Sequence, residues 1–197
     1  MRNPFTLSPS QIADELLFPG PLHMGMASGV FVQLPSTDES AQFFWDLAPM
    51  LEAGGMRVMV VDAARLQAED GLSFLSQLVR DRCDPARAGI GKDFTFADAL
   101  ANILNVQPLT IALLLGGAQR LSAEADERIL KAIKAARDMV NLEPSAAGRF
   151  RMVATWILPA DPCSYVENRR SAFYGATAVR LPAVDRQEAS ANTTGRN

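Results

Sequence analysis

Histidine is almost absent: His23 is the only one in 197 residues. A single imidazole gives little basis for a His-based metal site or a Ser-His triad. It also sits in the Met- and Gly-rich stretch GPLHMGMASG, which reads as loop. Cysteine is nearly as scarce. Cys83 and Cys163 lie far apart and form no metal-ligand spacing, so two free thiols in a reducing compartment are expected. Lys92, Lys131 and Lys134 are the only lysines, a bias from which no function follows. Neither sign of charge dominates. The net charge of -3 exerts no global pull toward nucleic acid or an anionic membrane. No apolar run approaches the roughly 20 residues that span a bilayer, and the start MRNPFTLSPSQ lacks a signal core. These absences exclude a membrane-spanning reading and lead us to expect a cytoplasmic protein. No internal repeat is evident.

What is present is the composition of a folded core: 48% apolar and 21% charged residues. The length suits one domain with a sizeable interior. Three parts are expected: a loop-rich arm over 1–28 with one short helix near 10–18, a domain over 29–185, and a polar, disordered tail over 186–197. Within the domain, GVFVQL (29–34), RVMVVD (57–62), 109–115, 149–157 and 176–181 read as strands. Their near-continuous apolar content predicts burial on both faces. Helices are expected over Thr37–Ala53, 68–80, 95–105, from Ser122 to about 140, and near 163–170. Phe43, Leu47, Met50 and Leu51 have helical spacing in the first, which Gly54-Gly55 ends. Ile129, Ile133, Ala136 and Val140 share one face of the fourth long helix, with Glu124–Arg128 and Glu127–Lys131 as i,i+4 pairs outside. This alternation predicts a three-layer α/β fold with a mainly parallel five-stranded sheet and helices on both faces. Ligands of such sheets bind at the carboxyl ends of the strands, after Leu34, Asp62, Leu115 and Thr155.

The order of these segments resembles a family. GVFVQLPSTDESAQFFWDLAPMLEAGGMRVMVVD is similar to the first strand, phosphate loop, first helix and second strand of P-loop ATPases of the AAA+ class. The likeness is to the compact bacterial and archaeal ATPases related to secretion and transposition ATPases. PLTIALLLGGAQRLS resembles the Walker B strand, RMVATWILP the sensor strand, and NRRSAFYGATAVRLPAVDRQEA the lead into the last strand. The NPF near the start resembles the family's entry segment. The likeness covers about residues 3–188 and implies a P-loop NTPase-like fold. The relatives continue past the last strand into a helical lid over adenine; here no C-terminal lid domain and no winged-helix segment are expected.

The chemistry of that family is missing position by position. A phosphate loop needs G-x-x-x-x-G-K-[ST]: glycines let backbone N–H groups approach phosphate, lysine neutralises charge, and the hydroxyl holds magnesium. Aligned on Ser40, this chain reads Gln33-Leu-Pro-Ser-Thr-Asp38-Glu39-Ser40. Both glycines are replaced, by Gln33 and Asp38, and Glu39 stands in place of lysine. A carboxylate about 5 Å from one phosphate charge, at an effective dielectric of about 20, costs about 3 kcal/mol. That is on the order of a hundredfold in affinity. The same residues satisfy a capping box, with Ser36 and Glu39 bonding each other's backbone N–H and Asp38 suiting the helix dipole. Gly116 and Gly117 occupy the two Walker B acid positions, where carboxylates would hold the magnesium shell and orient water. Gln119 remains but replaces neither acid. Glu124 and Asp126, as stand-ins, read better as charges in a helix's first turn.

AGIGKDF (88–94) contains G-x-G-K but lacks the eight-residue frame and a preceding strand, so it reads as a plain loop. Arg169 and Arg170 stand where the related ATPases place an arginine that senses a neighbouring subunit's nucleotide. Solvent-exposed, salt-bridging arginines are the simpler reading. Thr155 falls at the sensor polar position, or is a strand-end hydroxyl bonded to backbone. Phe43, Phe44 and Trp45 cannot all face inward on one helix, and Trp45 is a candidate contact residue with Arg169 and Arg170.

The expectation is therefore a catalytically inactive ATPase-like protein with no catalytic residue, no cofactor and no metal. It would bind a protein, a related ATPase in secretion, DNA transfer or mobile-element function, and regulate or inhibit it. The alternative is a divergent ATPase subunit completed by its partner. A DNA-associated protein using Arg149, Arg151, Arg169 and Arg170 ranks third, and oligomeric state is left open.

Overall fold

The computed structural model describes residues 5–18, 29–68, 70–82, 94–122, 127–157, 166–167 and 173–182. Six strands form one sheet: β1 (Phe5–Thr6), β2 (Val30–Leu34), β3 (Met56–Asp62), β4 (Thr110–Gly116), β5 (Phe150–Ile157) and β6 (Thr177–Arg180). They lie in the order β1-β6-β2-β5-β4-β3, and every neighbouring pair is parallel. Among the described residues, six α-helices of six or more residues accompany them: α1 (Pro9–Leu17), α2 (Thr37–Ala53), α3 (Ala63–Ala68), α4 (Gly71–Arg82), α5 (Phe96–Val106) and α6 (Glu127–Leu142).

Period-two alternation divides the sheet's side chains between two cores. Met59, Val61, Leu113, Phe150 and Met152 face one way and pack against residues of α3 to α6, among them Leu66, Leu75, Ile103 and Ile133. Val30, Val32, Val58, Leu114 and Val153 face the other way and meet Ile12 and Leu16 of α1 and Phe43, Leu47 and Leu51 of α2. Each fully buried side chain of this size contributes about 1.5–3 kcal/mol. The result is the expected three-layer, P-loop NTPase-like architecture, with β2, β4 and β5 buried between the layers.

Several expectations need correction. The sheet has six strands among the described residues rather than five, because Phe5–Thr6 pairs with Val179–Arg180. Two residues are too few to show a strand pattern. The helix expected over 68–80 is α4, and a separate helix, α3, that was not expected precedes it. Asp70 starts α4: its backbone carbonyl accepts from Phe74 N–H, and its carboxylate accepts from Ser73 Oγ at 2.7 Å. That bond from Ser73 holds the Asp70 carboxyl below its ordinary value. Ser122, expected to cap the long helix, ends a 3-10 turn over Ala118–Ser122; residues 123–126 lie outside the described residues, and α6 is described from Glu127. Met50, expected inside, is 36% exposed. The four residues named for the inner face of α6 are buried as expected. The Glu124–Arg128 pair and the Glu127 side chain lie outside the described residues, and Lys134–Asp138 is an i,i+4 pair found there, at 2.7 Å. Of the helix expected near 163–170 only 166–167 are described, and they are helical. Among the described residues, no helix is long and apolar enough to cross a membrane.

Candidate functional site

All six strands end on the same side, and the helix following β2 begins there. In a parallel α/β sheet this is where a ligand would be held. It is also where a helix N-terminus offers unpaired N–H groups and a positive dipole end to an anion.

The local chain leaves no cradle at that point. Strand β2 runs through Leu34 and α2 starts at Thr37, so Pro35 and Ser36 alone connect them. A phosphate cradle needs a longer loop whose successive N–H groups turn inward. Gln33, at the first glycine position, is still in the strand, paired with Trp156 and Arg180. Its side-chain Oε1 accepts from Arg180 Nε at 2.8 Å. Ser36 caps α2, its Oγ accepting from Glu39 N–H at 3.2 Å. The expected reciprocal bond from Glu39 to the Ser36 N–H forms at α1 and α5, with their own residues, but not here. Asp38 is exposed and Glu39 half-buried in the first turn. There they complement the helix dipole and oppose an incoming anion.

Behind this turn the polar groups bond one another. Ser40 is buried, and its Oγ lies 2.6 Å from Thr155 Oγ1 of β5. Thr155, 0% exposed, also accepts from the Gly117 N–H at 3.0 Å. Gly116 sits directly opposite. A Cβ there would lie 3.7 Å from Ser40 Oγ and 3.4 Å from Phe44 Cε2. Positions 40 and 116 therefore converge across the cleft. Here the hydroxyl is bonded to Thr155, and position 116 offers hydrogen. Gln119 Oε1 accepts from Ile157 N–H at 3.4 Å, tying the turn after β4 to the end of β5.

A magnesium nucleotide does not fit these residues. The hydroxyl that would hold the metal is committed at 2.6 Å, the lysine position carries Glu39, and neither residue 116 nor residue 117 has a carboxylate. Among the described residues no cluster of three metal-ligating side chains occurs. Two hollows flank α2 instead. Beside the cleft, one of about 610 Å³ lies toward α1, against Gln33, Glu39 and Phe43. The other, of about 530 Å³, opens between α2 and β3, against Ser40, Phe44, Trp45, Val60 and Gly116. A third hollow, of about 420 Å³, lies away from α2 against α4, α5 and α6.

The candidate residues are thus placed as follows. Gln33, Asp38, Glu39, Ser40, Gly116, Gly117 and Thr155 come together at one end of the sheet. Trp45 stands on the outside of α2, 79% exposed, while Phe43 and Phe44 are buried. Arg169, Arg170, His23, Cys83, Cys163, Glu124, Asp126 and residues 88–93 of the G-x-G-K loop lie outside the described residues. Of the two other arginines weighed for DNA, Arg149 is engaged with the carbonyls of Leu104 and Gln107 at the end of α5. Arg151 is buried, and loss of hydration pushes its guanidinium below the ordinary arginine value. Sequence reasoning missed Val60 and the hollow beside Trp45.

No protein-family model matches the chain, and no curated protein matches it. Among solved structures, the chain is similar to a DNA replication initiation factor, with 13% identity, a TM-score of 0.49, and 91% of this chain and 46% of that one covered. It is similar to PCH-2 of C. elegans at 9% identity, TM-score 0.45 and coverage of 87% and 40%. It is also similar to the Aeropyrum pernix ORC1 protein in complex with DNA at 10% identity, TM-score 0.44 and coverage of 92% and 47%. The chain spans less than half the length of each. The P-loop NTPase-like architecture rests on the parallel sheet and its two helical layers.

Proposed function

We propose that this chain is a catalytically inactive ATPase-like protein that works by binding another protein. The observation that carries this reading is the Ser40–Thr155 hydrogen bond, with Thr155 also accepting from Gly117. The polar groups that would face a nucleotide's phosphates and metal satisfy one another inside the fold. The two-residue connection before α2 and the acids in its first turn support the same conclusion. A scaffold kept without its chemistry retains its shape, and shape is what a docking protein needs. An ATPase of related architecture is the partner we favour, because a domain of the same outline can occupy the place of a subunit without turning over nucleotide. Its effect would be to regulate or inhibit that ATPase, in the cytoplasm.

The test is phosphate release from ATP and magnesium by the purified full chain, beside Ser40→Ala. No turnover above the variant is expected. Turnover abolished by Ser40→Ala would contradict the proposal.

A further inference from the structure

The sequence of α2 carries four acids, Asp38, Glu39, Asp46 and Glu52, and no lysine or arginine. Three of its exposed residues are seven apart: Asp38, Trp45 and Glu52. Residues at this spacing drift only about 20° around a helix per step. They therefore form one row, with a carboxylate about 10.5 Å along the axis on either side of the indole. Neither carboxylate has a cationic partner among the described residues. Beside the row lies the 530 Å³ hollow, walled by Phe44 and Ala48 of α2 and floored by Val60, which is 50% exposed. Val60 is open because β3 is the last strand of the sheet, with only β4 beside it among the described residues. Pro49 lacks an N–H, so the Trp45 carbonyl cannot receive the usual intrahelical bond.

We propose that the Asp38–Trp45–Glu52 row and the adjoining groove between α2 and β3 dock a basic amphipathic segment of a partner protein. Trp45 is the apolar anchor, and the two carboxylates select lysine or arginine on either side of it. This rests on the protein-binding reading and names its surface. Exposed tryptophans beside an apolar hollow are the residues that dominate interface energies. The flanking charges add specificity and speed of encounter. Charge also decides among occupants. A second copy laid antiparallel about Trp45 would set Asp38 of one chain against Glu52 of the other, acid on acid. The chain's own residues 183–197 hold one large aliphatic side chain, Val184, and no aromatic, too little to fill the groove. An anionic membrane would be repelled by the same acids. The groove's lining carries Glu52 and Asp62 beside Arg120, and Arg57 and Arg82 share a separate hollow with Glu52.

The test is selection of random 16-residue displayed peptides on the full chain, followed by affinity measurements. Enriched peptides should combine large apolar residues with lysine or arginine. Their binding should fall at least tenfold with Trp45→Ala and with the double reversal Asp38→Lys and Glu52→Lys, and should be unchanged in Asp138→Asn. All three positions are exposed, so melting curves should show the variants folded. The proposal is overturned by absence of enrichment, by enriched peptides without basic residues, by binding indifferent to these variants, or by a chain dimer that Trp45→Ala dissolves. None of these outcomes bears on ATP turnover, so the two proposals fail separately.

Discussion

Ser40 and Thr155, 115 residues apart, meet hydroxyl to hydroxyl at 2.6 Å in the buried end of the cleft. Thr155 also holds the Gly117 N–H, so one side chain ties together α2, β5 and the turn after β4. Removing it should be costly. Thr155→Val keeps the shape but leaves a buried N–H and a buried hydroxyl without this partner, at about 2–3 kcal/mol. For a chain of this size that lowers Tm by about 4–10 °C. Ser40→Ala should cost less, because Thr155 keeps its bond to Gly117. The double variant should show coupling of at least about 0.5 kcal/mol in urea unfolding. Additive losses would mean the two hydroxyls do not support each other.

Gly29 leads into β2, the strand that positions α2. Its φ is +120°, and a Cβ there would lie 2.8 Å from the Met152 carbonyl oxygen. Gly29→Ala should therefore destabilise by about 1–3 kcal/mol from backbone strain, and more from the clash. Gly55, just after α2, is the control: its φ is +87°, with nothing within 4 Å of an added Cβ. Thermal melts should rank Gly29→Ala well below Gly55→Ala. Equal melting temperatures would show that the close approach to Met152 relaxes without cost.

How far the chain could be read follows from how local each signal is. Strands buried on both faces, such as β4, announce themselves by continuous apolar content, and Gly54-Gly55 marks the end of α2. α4 was legible from its apolar spacing, but α3 was not, because its six residues make fewer than two turns and show no full apolar stripe. Trp45 could be assigned to the surface because three consecutive aromatics cannot share one helix face. The groove beside it could not be seen, since Val60 is exposed only because β3 ends the sheet, and strand order is not written in any one segment. Thr155 could be read as a strand-end hydroxyl bonded to backbone, as its bond from the Gly117 N–H shows. Its contact with Ser40 could not, because that bond depends on β5 and α2 meeting.

Asp138 offers a pH test remote from the cleft. Partial burial works against its charged form, but hydrogen bonds from Lys134 at 2.7 Å and Arg137 at 3.1 Å, with their charges, outweigh burial and hold its carboxyl below the ordinary value. A depressed carboxylate stabilises the fold fully above the unfolded aspartate value of about 3.9. That contribution is lost as pH falls through the lower folded value. With the side chain 46% exposed, solvent screening keeps the effect below about 1 kcal/mol. Asp138→Asn should melt slightly below the parent chain at pH 7, and the gap should close in strong acid. A gap unchanged by pH would show that the charge contributes nothing.

The most direct measurement is calorimetric titration of the full chain with ATP and magnesium. The self-bonded cleft, its two-residue connection and its acidic first turn predict a flat titration through millimolar nucleotide. Magnesium-dependent binding in the micromolar range, lost in Ser40→Ala, would contradict the claim that this cleft is closed to nucleotide.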